Sequence, residues 1–380
     1  GFRYMKQQLV LFVVNDAGFF LSHRLPLAQA ARDQGYKVAV ATPTSDAVGQ
    51  IEAEGFRHYA VPLSRGGANP LAEIKTILGL YRLYKALQPT LVHHVTIKPV
   101  LYGTLAARLA GVSAVVNAIS GLGFVFLARG WFSSLARVAV LNSYRWLFSR
   151  DRLWVIVQNN DDYHYLLDEG CLSQEKIELI RGSGVDLSQF SMTPEHDQVP
   201  LVVLPARMLW DKGVGEFVAA AQKLHAMGVK ARFALVGGID PSNPKSVPAK
   251  KLAEWARESD VEWWGNRQDM SAVFRRANII CLPSYREGLP KVLLEAVASG
   301  RAIVTTDVPG CREVVIDGEN GLLVPARQSE PLADALERLI NLQALRQSMG
   351  ERGRQMAEAE FSIEQVIEQH MSIYRQALDS

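Results

Sequence analysis

The sequence predicts an α/β protein of two doubly wound units that face each other across a cleft. Three observations predict it. Short apolar, β-branched runs alternate with helical segments along the whole chain, as buried parallel strands alternate with crossover helices. The length of 380 residues is that of two domains. The rhythm also restarts at Leu201, after a polar, Pro-flanked stretch, Ser191–Val199, that reads as a linker. The expected division is 1–195, 196–360, and a last helix, 361–380, that crosses back to the first domain.

In the first half, Leu9–Val14 is a strand and Asn15–Phe20 a loop carrying Gly18. A helix over Leu25–Gln34, stopped by Gly35, and a strand over Lys37–Thr42 complete a βαβ opening. The G-x-G-x-x-G fingerprint is absent, so no dinucleotide cofactor is expected. Leu71–Leu87 and Pro99–Ala110 read as helices, Thr90–His94, Ala114–Ala118 and Val155–Gln158 as strands. In the second half, strands are expected at Leu201–Pro205, Ala231–Val236, Val261–Trp264, Asn278–Leu282 and Ala302–Thr306. Helices are expected at Val214–Met227, 249–258, 269–276 and Lys291–Ser299, then from Glu330 onward.

Composition sets bounds. A hydrophobic fraction of 48% and a charged fraction of 21% are those of an ordinary globular protein. Cys171, Cys281 and Cys311 form no C-x-x-C pair, which implies neither a disulfide nor a metal site. No apolar run reaches the roughly 18 residues of a membrane-spanning helix, and no signal peptide pattern opens the chain. Net charge is +2 but uneven: residues 1–190 hold 19 bases and 14 acids, residues 191–380 hold 22 and 25. Ile74–Arg150 has no acidic residue and nine basic ones. Within it, Phe124–Arg152 interleaves aromatic residues with arginines, and Arg129, Trp131, Arg137, Arg145 and Trp146 are the candidates for an anionic membrane surface. The competing interpretation is a core helix with outward-reaching arginines. No nucleic-acid motif is present, so nucleic acid is not expected as a partner.

The chemistry centres on Leu282–Gly310. A strand, a turn with Pro283, Gly288 and Pro290, and a helix starting at Lys291 place Glu287 before the helix and Glu295 about one turn inside it. Open α/β sheets bind ligands above such strand ends, and a helix N-terminus suits a phosphate. Arg207 and Lys212, in A-R-M-L-W-D-K-G, put two cations beside another helix start, which suits a diphosphate. Alone they would be solvated surface charges. With two carboxylates in the same crevice they point to a ligand that has hydroxyls and phosphates, a nucleotide sugar.

The stretches A-R-M-L-W-D-K-G, L-V-G-G, W-G-N-R-Q-D-M, P-S-Y-R-E-G-L-P-K-V-L-L-E-A, P-G-C-R-E-V-V and N-G-L-L-V-P resemble glycosyltransferase family four, retaining enzymes of GT-B fold with two Rossmann-like domains. S-H-R-L-P-L and S-G-L-G-F-V-F are similar to bacterial transferases that add an N-acetylhexosamine to an undecaprenyl-diphosphate-linked sugar, the α-1,3-N-acetylgalactosaminyltransferase type. The resemblance implies that Arg207 and Lys212 hold the donor diphosphate and that Glu295 accepts hydrogen bonds from the ribose. It places Glu287 at the transferred sugar, near Gly288, Leu289 and Lys291, with Asn266 and Arg267 near the base and Gly18 beside the phosphates. Where many members carry a His, this chain has Ser120, so His23, His94 and Lys98 are the other candidates for the wall of the sugar site. A lone His at a strand end is more often structural. Trp210, Trp263 and Trp264 are expected to pack.

No D-x-D occurs, so charge on the leaving diphosphate is expected to be met by cations and helix dipoles, with no metal and no cofactor. The expected activity is transfer of a HexNAc from UDP-GalNAc or UDP-GlcNAc to a lipid-linked saccharide, at the cytoplasmic face of a bacterial inner membrane. A soluble acceptor, a non-catalytic nucleotide-sugar-binding protein and a UDP-sugar epimerase are the alternatives.

Overall fold

The computed structural model describes residues 7–63, 69–120 and 134–379, with side chains at all of these except 134–137 and 140. It divides into two compact units: the chain up to Ser183 together with Val366 onward, and Gly184–Gln365.

The first unit contains β1 (Leu9–Val14), α1 (Ala17–His23), α2 (Leu25–Asp33), β2 (Lys37–Thr42), α3 (Val48–Ala53), β3 (Arg57–Ala60), α4 (Pro70–Leu87) and β4 (Leu91–Val95). It continues with α5 (Ile97–Ala110), β5 (Ala114–Ile119), α6 (Ser134–Phe148), β6 (Leu153–Val157), α7 (Asn160–Asp168) and β7 (Ile177–Leu179). Its seven strands are all parallel, in the order β3-β2-β1-β4-β5-β6-β7. Both faces of this sheet are covered, which is why β1, β4, β5 and β6 read as continuous apolar runs with no alternation. Leu11, Val92 and Val155 pack beneath α4, α5 and α6, while Val10, Phe12 and Val116 pack on the other face with Phe20, Ala28 and Tyr374.

The second unit contains β8 (Leu201–Pro205), α8 (Val214–Ala226), β9 (Arg232–Val236), α9 (Ala249–Glu258), β10 (Val261–Trp263), α10 (Met270–Arg276) and β11 (Ile279–Leu282). Then follow α11 (Lys291–Ala298), β12 (Ala302–Thr306), α12 (Pro309–Arg312), β13 (Gly321–Val324), α13 (Ser329–Asn341), α14 (Gln343–Met356) and α15 (Ile363–Asp379), which joins the first unit from Val366 on. The sheet order is β10-β9-β8-β11-β12-β13, again parallel.

Two expectations are corrected. The Asn15–Phe20 loop is mostly helix: Asp16 caps α1, and its carboxylate accepts from Gly18 N at 3.2 Å. The expected linker, Ser191–Val199, lies inside the second unit. Phe190 is buried in that core, Arg301 Nη1 donates to Thr193 O at 2.8 Å, and Glu195 pairs with Arg346 at 2.7 Å. Polar composition suggested a linker, but these polar residues meet buried arginines.

Candidate active site

In the second unit the strand order reverses between β8 and β11, so the chain leaves these two neighbours toward opposite faces of the sheet. The crevice at such a switch point is where open α/β sheets hold ligands. The loops after β8 and β11 are joined there. Tyr285 N donates to Asp211 O at 2.9 Å, and Asp211 also pairs with Lys245 at 2.9 Å. Gly213 closes the first loop with φ +76°, and a Cβ on it would lie 2.1 Å from Pro283 O. Only glycine permits both the backbone angle and this approach.

The joined loops bring Lys212 Nζ to 2.6 Å from Glu287 Oε1, with side chains 23% and 11% exposed. Ser284 Oγ donates to the same oxygen at 2.8 Å. Gly310 lets α12 approach, since a Cβ there would stand 2.5 Å from the carbonyl oxygens of both Glu287 and Gly288. A nearly desolvated carboxylate held by an ammonium and a hydroxyl has a fixed direction, so its second oxygen can be aimed at a ligand hydroxyl. Behind it, Tyr285 donates to Glu216 Oε2 at 2.9 Å, and the Arg327 guanidinium lies 4.6 Å over the Tyr285 ring.

Gly288 and Leu289 belong to the loop that ends at Pro290, and Lys291 and Glu295 lie one turn apart on α11. The Glu295 carboxyl is pushed up to about 7 by burial, with the Lys291 ammonium pulling the other way. Arg207 does not join Lys212. It is 62% exposed and pairs with Asp240 at 3.0 Å. Asn266 is exposed, and Arg267 is held in a bidentate pair by Asp269 at 2.7 and 2.6 Å. Trp263 Nε1 donates to Gly237 O at 2.9 Å, a packing role as expected.

In the first unit the expected residues are less concentrated. Gly18 sits in the first turn of α1, where a Cβ would approach nothing nearer than 3.7 Å, so no steric need for glycine exists at that position. The His23 ring stacks on Phe19 with centroids 4.0 Å apart and bonds Ser22 Oγ at 2.6 Å. His94 is not a wall residue: it is fully buried, with Nδ1 donating to Asn117 Oδ1 at 2.7 Å and Nε2 accepting from Tyr84 OH at 2.8 Å. Burial lowers it to about 4, so it is neutral, and both ring nitrogens are used inside the core. Lys98 is half-buried in the first turn of α5, and Ser120 is exposed just past β5. Arg129 and Trp131 lie outside the described residues, as does the Arg137 side chain. Arg145 Nε donates to Glu169 O at 2.8 Å, and the half-exposed Trp146 ring lies under the Arg108 guanidinium at 4.3 Å. Among the described residues no helix is long and apolar enough to cross a membrane, and no group of three or more His, Cys, Asp or Glu could hold a metal.

Ser284 and Tyr285, which flank Glu287 in the central motif, and Glu216 on α8, which accepts from Tyr285, were not among the expected site residues. Arg24, the arginine of S-H-R-L-P-L, was not among them either. Arg24 is buried, and so is the hydroxyl of Thr96, whose backbone has φ +75° and ψ 167°.

Residues 9–153 match the family described as glycosyl transferase 4-like, and residues 199–342 match glycosyl transferases group 1. The chain is 28% identical over 358 residues to the N,N'-diacetylbacillosaminyl-diphospho-undecaprenol alpha-1,3-N-acetylgalactosaminyltransferase of Campylobacter jejuni, covering 90% of this chain and 93% of that one. Its fold matches a glycosyltransferase from Rickettsia africae with a TM-score of 0.78 at 18% identity, over 98% and 99% of the two chains. It also matches Anabaena HepE in complex with UDP-glucose, with a TM-score of 0.76 at 18% identity, over 97% and 100%. With two parallel doubly wound sheets, a first unit of the 4-like family and a second of group 1, the chain belongs to the glycosyltransferases and has the GT-B fold.

Proposed function

We propose that the chain is a retaining, metal-independent transferase that moves an N-acetylhexosamine from a UDP-sugar to an undecaprenyl-diphosphate-linked saccharide in glycan or surface polysaccharide assembly. The observation that carries it is the Lys212–Glu287 pair at the switch point of the second unit, with the Glu295 carboxyl on the helix that follows. The acceptor class rests on the relative that acts on a diphospho-undecaprenol substrate, and the UDP-sugar on the UDP-glucose complex of the HepE neighbour.

In this mechanism Lys212 turns from Glu287 to the donor diphosphate and neutralises the charge that develops as the bond from the anomeric carbon to the phosphate oxygen breaks. Arg207 leaves Asp240 to join it, a modest cost for an exposed pair. Glu287 accepts from hydroxyls of the sugar being transferred. Gly288, Leu289 and Lys291 bring the start of α11 to the phosphates. Glu295 binds the ribose, with Asn266 and Arg267 near the base. The acceptor hydroxyl attacks on the face the diphosphate leaves and gives it its proton, so the anomeric configuration is kept without a covalent intermediate. His23, Lys98 and Ser120 border the acceptor in the first unit, and the exposed Trp146, on a stretch of chain without acidic residues, rests on anionic lipid at the cytoplasmic face of the membrane.

A soluble acceptor is the second reading. Arg108, Arg145 and Arg150 of the acid-free stretch each donate to backbone carbonyls, of Trp146, Glu169 and Ser113, so part of that charge serves the fold. Release of UDP across a panel of UDP- and GDP-sugars, in EDTA and with or without lipid-linked acceptors, tests the proposal. Release from one UDP-HexNAc that requires the lipid-linked acceptor supports it. Release that requires a water-soluble sugar instead supports the second reading, and UDP binding without release from any donor supports a non-catalytic protein.

A further inference from the structure

At the strand ends of the first unit lies a crevice bordered by Arg24, Thr96, Ser120, Gln158, Gly182 and His370. It sits over the switch between β1 and β4, on the same edge of its sheet as the donor crevice on the second. Arg24 is 4% exposed and makes one hydrogen bond, from Nη1 to His23 O at 3.1 Å. Its Nε has no partner, and no carboxylate among the described residues pairs with it. Burial lowers it only to about 10, so it stays cationic at neutral pH.

Two further polar atoms bordering the crevice are buried without partners. One is Thr96 Oγ1, on a residue whose left-handed φ of +75° is costly for a β-branched side chain and which begins the 14-residue helix α5. The other is His370 Nε2, while Nδ1 of that ring donates to Val366 O at 2.8 Å. A water could bridge a free N–H to a ring nitrogen, but it would not compensate a buried guanidinium. An anion would, and the N-terminus of α5 adds positive partial charge at the same place. The whole crevice admits a water-sized group to only about 10 Å³, room for one water or one phosphoryl oxygen but not a whole phosphate. The ligand is therefore an anion that can extend one oxygen into the crevice while the rest stays outside it.

We infer that this crevice anchors a diphosphate, that of the lipid-linked acceptor, through Arg24 with Thr96 Oγ1 and the start of α5. The inference rests on the acceptor class proposed above. It makes Arg24 a binding residue for the acceptor's anionic half and leaves donor recognition to the second unit.

The test compares wild type with Arg24→Gln and Arg24→Lys, using a short-chain polyprenyl-diphosphate HexNAc as acceptor and inorganic diphosphate as probe. Arg24→Gln should raise the acceptor KM by roughly tenfold to a hundredfold, the range for a lost hydrogen bond to a charged group, with the donor KM unchanged. Arg24→Lys should recover part of it. In calorimetry with UDP saturating the donor site, inorganic diphosphate should bind wild type and not Arg24→Gln. Without ligand, Arg24→Gln should melt at or above the wild-type temperature, because it removes an uncompensated buried charge.

An unchanged acceptor KM in Arg24→Gln, with diphosphate binding still lost, would assign the crevice to a free anion and overturn the acceptor assignment. A lower melting temperature with both KM values shifted together would make Arg24 a structural residue. If no lipid-linked acceptor is used at all, the proposed function fails. The calorimetric pair still decides whether the crevice is a diphosphate site, and equal binding by wild type and Arg24→Gln overturns that.

Discussion

Replacing Glu295 by Gln removes a titration while keeping the side chain's shape. The Glu295 carboxyl titrates at about 7 in the folded chain, first because burial disfavours its anion, with Lys291 offsetting part of this, against an ordinary value of 4.5. Between those values the folded state keeps a proton that the unfolded chain has lost. Stability therefore falls as pH rises through this window and levels off above it. The gap of about 2.5 pH units, at about 1.4 kcal/mol each, amounts to about 3 kcal/mol. Gln stays neutral throughout. Glu295→Gln should match wild type near pH 4, and exceed it by up to about 3 kcal/mol at pH 8, in urea unfolding followed by circular dichroism. If Glu295 binds the ribose as proposed, the ionisation that costs stability also makes the acceptor the ribose hydroxyls need, so the donor KM of wild type should fall as pH passes about 7. The variant should bind donor roughly tenfold more weakly at pH 8. Parallel stability slopes for the two proteins between pH 5 and 7 would refute the account of this carboxyl.

Lys212→Ala leaves the Glu287 carboxylate, 11% exposed, without its ammonium. It should cost about 1–3 kcal/mol of stability by urea titration and, under the proposed role of Lys212 at the leaving diphosphate, about 10²–10³ in kcat. Gly213→Ala sets a methyl 2.1 Å from Pro283 O at φ +76°, so thermal melting should show a loss of more than about 2 kcal/mol. His94, lowered to about 4 by burial, withholds a proton that the unfolded chain takes up, so stability is lost as pH falls from about 6.5 to 4. His94→Gln should start less stable at pH 7 and lose about 3 kcal/mol less over that window, measured by urea unfolding at each pH. Trp146→Ser should reduce co-sedimentation with anionic vesicles and leave UDP affinity unchanged.

The fold was legible because both sheets are parallel and covered on each face, which turns strands into apolar runs as plain as Leu201–Pro205 and Ala302–Thr306. Helix α1 was missed because Asn15-Asp16 and Gly18 read as turn residues, whereas Asp16 is a helix cap. Lys212 and Glu287 could be placed together because the glycines and prolines of two motifs fix where two loops leave neighbouring strands. Arg207 could not, since its position depends on Asp240, 33 residues on in the chain and not a recognisable partner from spacing. His94 looked like a site residue at a strand end. Only the fold shows Tyr84 and Asn117 closing on both its nitrogens. Arg24 had a signal, its place in S-H-R-L-P-L, but a buried arginine without a carboxylate is visible only once its neighbours are known.

The central claim is tested most directly by following labelled HexNAc from the UDP-sugar into butanol-extractable lipid, with wild type and Lys212→Ala side by side in EDTA. The account predicts label in the lipid fraction with wild type, linked with the donor's anomeric configuration, and about 10²–10³ less with the variant. Label that stays in the aqueous phase, requires a divalent metal, or reaches the lipid equally with Lys212→Ala would contradict it.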